Sequence, residues 1–172
     1  MSVIRQAVAI ALLVTPAFSA QSYDVLVSVT GNLIGNTCTV AADSLTQDVP
    51  LGTVGLKQFT TAAGVSQVKT PFTLTLEACG PLFTGVKIRF SGAPDADNPQ
   101  LIKVADGGAK GVGVELLDNT SAAVPLDKPT SVYGTPGDTG VHMTFYARLA
   151  ATGAPLSAGD VSAVATWTTE YQ

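Results

Sequence analysis

The chain has one histidine, His142, and two cysteines, Cys38 and Cys79. A zinc site built from several imidazoles or thiolates is therefore excluded. Charge is also scarce. Asp, Glu, Lys and Arg make up 13% of the 172 residues, against roughly 25% in an average soluble domain. The nine basic residues are scattered, the net charge is -4 and the isoelectric point is about 4.7. This gives no electrostatic footprint for nucleic acid. No apolar run reaches the about 20 residues that a membrane-spanning helix needs.

What is present is a 46% hydrophobic fraction with 17 glycines and 10 prolines. Such a chain is too apolar and too weakly charged to stay disordered. Its length suits one domain after removal of a targeting segment. Residues 1–20 have the layout of a secretory signal peptide: a short head carrying Arg5, the apolar run AVAIALLV at 7–14, the break at Thr15-Pro16, and small residues through Ala20. Ala20 is expected to be the last residue removed, to within one or two positions. Loss of Arg5 leaves 8 basic and 13 acidic side chains, a charge of -5. In the oxidising compartment that such a signal implies, Cys38 and Cys79 most simply form one disulfide. Closing that 42-residue loop is worth about 4 kcal/mol in the chain-entropy model.

The rest alternates as a β protein. Apolar residues recur two apart in residues 73–76, 87–90 and 111–117. In VHMTFYARL (141–149), Val141, Met143, Phe145, Ala147 and Leu149 share one face, and His142, Thr144, Tyr146 and Arg148 the other. Turn chemistry fills residues 91–99, 105–110 and 134–140. The pattern predicts an all-β sandwich of the immunoglobulin kind, with no second domain. Near the start, residues 23–34 (YDVLVSVTGNLI) place Val25, Val27, Val29, Gly31 and Leu33 on one face. This apolar face is made to be buried, either as the first strand of the chain's own sandwich or against another molecule. In residues 161–172 (VSAVATWTTEYQ), Val161, Ala163, Ala165, Trp167, Thr169 and Tyr171 share a face.

Enzyme signatures fail. Residues 64–68 (GVSQV) lack the closing glycine of a serine-hydrolase elbow, and Leu116 stands where a dinucleotide loop needs its third glycine. Pro99 interrupts the calcium-loop-like 95–98 (DADN). His142 falls on the face opposite the expected core.

The signal peptide, the alternating extension with Gly31, the cysteine pair, Gly159 at the fourteenth place from the end (counting Gln172 as one), and the penultimate Tyr171 together resemble a chaperone–usher pilin of the type 1 fimbrial kind. Residues 145–152 (FYARLAAT), Pro155, Ala158-Gly159 and 165–172 (ATWTTEYQ) are similar to the C-terminal third of such subunits, most of all the minor, adaptor-like subunits of the fibre tip. Residues 111–118 and Val124-Pro125-Leu126 also fit, and the likeness loosens between Leu45 and Thr70.

The resemblance implies an incomplete immunoglobulin-like sandwich lacking its last strand (residues 35–172) and an N-terminal donor-strand extension (residues 21–34). It implies an acceptor groove that a periplasmic chaperone fills first and another subunit's extension later, at an outer-membrane usher. The donor side chains would be Val25, Val27, Val29 and Leu33, with Gly31 where the backbone approaches closely. Gly159, Val161, Ala163, Ala165, Trp167, Thr169, Tyr171 and Gln172 would form the groove-edge, chaperone-contacting strand, with the Gln172 carboxylate held by basic residues of the chaperone. Tyr146 and Arg148 would be structural. Expected partners are other pilin subunits, chaperone and usher, with neither nucleic acid nor direct membrane insertion, and no cofactor is implied. The product would be a fimbrium outside the cell, reached through the periplasm. The competing reading is a secreted carbohydrate-binding sandwich such as a tip adhesin. Adhesins of that kind carry a separate lectin domain and lack a donor extension. A secreted all-β enzyme is a third, weaker reading.

Overall fold

The computed structural model describes residues 37–60 and 64–172. The expected signal peptide, its cleavage point and the extension bearing Val25, Val27, Val29, Gly31 and Leu33 lie outside the described residues. Seven strands follow: β1 (Thr39–Val40), β2 (Thr70–Glu77), β3 (Val86–Gly92), β4 (Ile102–Lys103), β5 (Val112–Leu117), β6 (Val141–Ala151) and β7 (Ala165–Tyr171). Two short 3-10 turns, Ala42–Ser44 and Leu56–Phe59, are the helical elements among the described residues. No helix there is long and apolar enough to cross a membrane.

One sheet has the order β1-β2-β6-β5-β4, and β3 pairs with β7 in a second. Every ladder is antiparallel. The eleven-residue β6 is the spine of the larger sheet. Val141, Met143, Phe145, Ala147 and Leu149 are buried and His142 is exposed, as the alternation predicts. The sheets meet face to face through aromatic rings. Phe145, with no exposed surface, stands edge-on to Phe90 of β3 at 5.0 Å and stacks on Phe72 of β2 at 5.7 Å. Such pairs add about 0.5–1.5 kcal/mol each beyond the area they bury.

The outer faces carry cross-strand ion pairs. Glu115 of β5 sits opposite Arg148 of β6 and accepts from its Nε at 2.6 Å. Arg148 is thus satisfied within its own chain, in line with the structural role expected for it. Arg89 pairs with Glu170 across β3 and β7. Both pairs are partly exposed and contribute at most about 1 kcal/mol each.

Two boundaries differ from the sequence reading. The final strand begins at Ala165 rather than Val161, because the β3 ladder ends at the Gly92–Ala165 pair. The turn expected from Ser91 starts two residues later, since Ser91 and Gly92 still belong to β3. The two-residue strands β1 and β4 are too short to show a period.

Candidate strand-accepting groove

Thr39 and Val40 pair with Glu77 and Leu76 at one end of β2, and β1 goes no further. Among the described residues, the opposite end of β2 has no strand partner on that side. Pro71, which has no N–H to give, is tolerated there. Residues 47–50 run beside this edge and are tied to it mainly by side chains. Gln47 Nε2 donates to Thr73 O at 2.6 Å, and Thr70 Oγ1 donates to Pro50 O at 2.6 Å. In the other sheet, β7 pairs with β3 and, among the described residues, with no other strand. The seam between residues 44–56 and β7 is therefore bridged by no sheet hydrogen bonds among the described residues.

A groove of about 1290 Å³ lies along this seam. Its floor is the inward face of the larger sheet, including Leu74, Val112, Val114, Leu116, Ala147 and Leu149. Its rims are residues 44–54 on one side and residues 157–165 with Trp167 on the other. Apolar side chains stand exposed on the rims: Leu45 at 68% and Val164 at 76%. A smaller recess of about 360 Å³, lined by Val40, Leu45, Trp167, Thr168 and Thr169, borders the same two residues, Leu45 and Trp167.

Gly159, Val161, Ala163, Ala165 and Trp167 all line the main groove, and Thr169 lines the recess. Tyr171 and Gln172 line neither one. The Tyr171 ring meets Phe83 edge-on at 6.3 Å, and its hydroxyl reaches Cys38. The backbone of Gln172 donates to Gly85 O at 3.1 Å and accepts from Thr84 Oγ1 at 2.7 Å. β7 has reached the end of the sandwich by then, beyond the seam.

Gly159 has a local reason to be glycine. Residues 157–162 leave the β3 ladder and bond to the 105–110 turn instead. Ala109 N–H donates to Asp160 O at 2.9 Å, and Ala105 N–H donates to Ser162 O at 2.8 Å. A Cβ at Gly159 would stand 2.6 Å from Ala109 N and 2.7 Å from the Gly108 carbonyl carbon. A Cβ at Gly108 would meet Asp160 O at 2.3 Å. Both contacts are with backbone, which cannot rotate away. Gly159→Ala is expected to cost about 1–3 kcal/mol, read as a lower urea midpoint at unchanged slope.

Cys38 and Cys79 form the expected disulfide. The rim at residues 44–56 went unnoticed in the sequence. Its signal was the apolar series Leu45, Val49, Leu51, Val54 and Leu56, interrupted by Pro50, Gly52 and Gly55.

A two-sheet sandwich with an apolar seam beside its last strand defines an incomplete immunoglobulin-like domain of the pilin type. The chain belongs to the fimbrial protein family, whose model matches residues 27–172. It is 39% identical to the S-fimbrial protein subunit SfaG of Escherichia coli O6:K15:H31, over 86% of this chain and 83% of that one. It is 35% identical to the probable major fimbrial subunit LpfA of Escherichia coli O157:H7, over 95% and 86%. The relatives thus include a probable major subunit. The crystal structure of the P pilus rod subunit PapA shares the fold, with a TM-score of 0.66 at 22% identity over 78% of this chain and 99% of that one. The chain is a structural subunit of an extracellular pilus and not an enzyme.

Proposed function

We propose that the chain polymerises head to tail by donor-strand complementation. Residues 21–34 of one subunit enter the groove of the next, with Val25, Val27, Val29 and Leu33 facing the floor and Gly31 where the backbone comes closest. The observation that carries this reading is the apolar groove beside β7, which among the described residues pairs with β3 alone, with Leu45 and Val164 exposed on opposite rims. An unpaired edge above an apolar groove is a template for one more strand. Three Val and one Leu contribute about 6–12 kcal/mol of gross burial, at about 1.5–3 each. A donor that enters another copy's groove, and not its own, makes a contact that does not close, which is a fibre.

Residues 1–20 serve as the export signal in this reading. A periplasmic chaperone then covers the groove, and an outer-membrane usher exchanges it for the next extension. The seam explains the need for a chaperone, since an uncovered groove would aggregate. The carbohydrate-binding alternative has no comparable feature in its favour.

A synthetic peptide of residues 21–34, added to the refolding domain without its own extension, tests the reading. The peptide is expected to keep the domain soluble and raise its melting temperature. A Gly31→Arg peptide is expected to bind about 10- to 100-fold more weakly, because the guanidinium stem overfills the closest approach. Equal binding of both peptides would remove Gly31 from the groove contact.

A further inference from the structure

Cys38 is held from two sides. Its sulfur is bonded to Cys79, just beyond β2 in the larger sheet. Its backbone is held by Tyr171, in the smaller sheet. The Tyr171 hydroxyl accepts from Cys38 N–H at 3.0 Å and lies 3.4 Å from Cys38 O, to which it can donate. Both backbone groups of one residue are thus engaged by one side chain, across 133 positions of sequence. The ring is fixed in turn, edge-on to Phe83 and opposite Val86 in the β3–β7 register.

The position of Cys38 gives this arrangement a use. It lies four residues after Ile34, where the donor extension ends. Tyr171 terminates β7, the strand that edges the groove. One hydroxyl therefore connects the strand that receives a neighbour's donor to the foot of the chain's own donor. β1 could not hold that foot by itself, since it makes only two residue pairs with β2.

We propose that Tyr171 is a positioning residue of the fibre. It fixes the foot of the N-terminal extension against the groove-edge strand and so sets the angle between successive subunits. The disulfide ties Cys38 to one sheet, and the hydroxyl ties it to the other. With both in place Cys38 is tied to both sheets at once. This rests on the donor-strand reading above.

The variant Tyr171→Phe keeps the ring and its contact with Phe83 and removes only the hydroxyl. Its groove is expected to release a peptide of residues 21–34 within twofold of the wild-type rate, because Tyr171 lies outside the groove lining. Its fibres, imaged by negative-stain electron microscopy, are expected to show a broader distribution of angles between neighbouring subunits. Their persistence length should be at most half that of wild-type fibres. A purely structural role would shift the melting temperature and leave the angles unchanged. Unchanged angles and persistence length in a variant that folds and polymerises would overturn the proposal.

Amide hydrogen exchange in the wild-type chain, complemented by the same peptide, supplies a second readout that does not depend on the variant folding. Cys38 N–H is expected to exchange at least tenfold more slowly than Thr37 N–H. Equally fast exchange at the two would also overturn the proposal. A wild-type groove that takes no peptide would overturn the donor-strand reading itself and this proposal with it. That result is distinct from peptide binding combined with fibres unaffected by Tyr171→Phe.

Discussion

A chain lacking residues 21–33 is expected to form no fibre at all while keeping its capacity to accept a donor. The loss is complete because the deletion removes one half of a two-part contact. On the proposed donor-strand reading, Val25, Val27, Val29 and Leu33 would supply about 6–12 kcal/mol of gross burial, together with backbone hydrogen bonds along β7. Side chains elsewhere cannot replace a missing strand, since strand addition depends on a continuous row of N–H and C=O groups. The groove is built by β2, β5, β6 and β7 and by residues 44–56, none of which the deletion touches. The truncated chain should therefore still bind a peptide of residues 21–34 and co-purify with a pilus chaperone. Expressed without either, it should aggregate or be degraded, because Leu45 and Val164 stand exposed on the two rims of an apolar seam. Size-exclusion chromatography and electron microscopy separate these outcomes. A truncated chain that is monodisperse and unfolds cooperatively on its own would show that the sandwich is complete without an added strand. Polymers formed by the truncated chain would show that the donor lies elsewhere.

The parts of this fold that were legible in the sequence are those where one face is buried and the other is wet. β6 is the clearest case. Val141, Met143, Phe145, Ala147 and Leu149 point into the core, and a one-residue slip would turn all five outward. Val161, Ala163, Ala165 and Trp167, which with Gly159 line the groove, share a face in the sequence, and their alternation continues on both sides of the point where the ladder stops. The strand boundary at Ala165 was not legible. Whether residues 157–162 pair with β3 or with the 105–110 turn depends on where that turn lies in space. The rim at residues 44–56 was hidden by a different cause. Its apolar side chains hang on a segment broken by proline and glycine, and side chains more than backbone tie it to β2. Such a segment has no period to read. The hold of Tyr171 on Cys38 joins opposite ends of the chain, and no local pattern encodes it. The sequence showed that Tyr171 stood next to last, and only the packing showed what it touches.

Replacing both cysteines, Cys38→Ser with Cys79→Ser, is expected to cost about 2–5 kcal/mol of stability. Closure of the loop between them, 41 positions apart, accounts for about 4 kcal/mol in the chain-entropy model, and residual structure in the unfolded chain lowers that figure. The measurement is the urea midpoint of the peptide-complemented domain, so that groove aggregation does not obscure the transition. The site of the loss matters as much as its size. With β1 limited to Thr39–Glu77 and Val40–Leu76 pairing, residue 38 keeps few other contacts with the larger sheet once the sulfur bridge is gone. The Tyr171 hydroxyl would then be holding a foot that is already loose. The cost of Tyr171→Phe should accordingly shrink in the double-serine background, by more than the about 0.3–0.5 kcal/mol within which independent sites add. Strict additivity would mean that the bridge and the hydroxyl restrain different things. A positive coupling would mean that they restrain the same residue, Cys38, at the foot of the proposed donor extension.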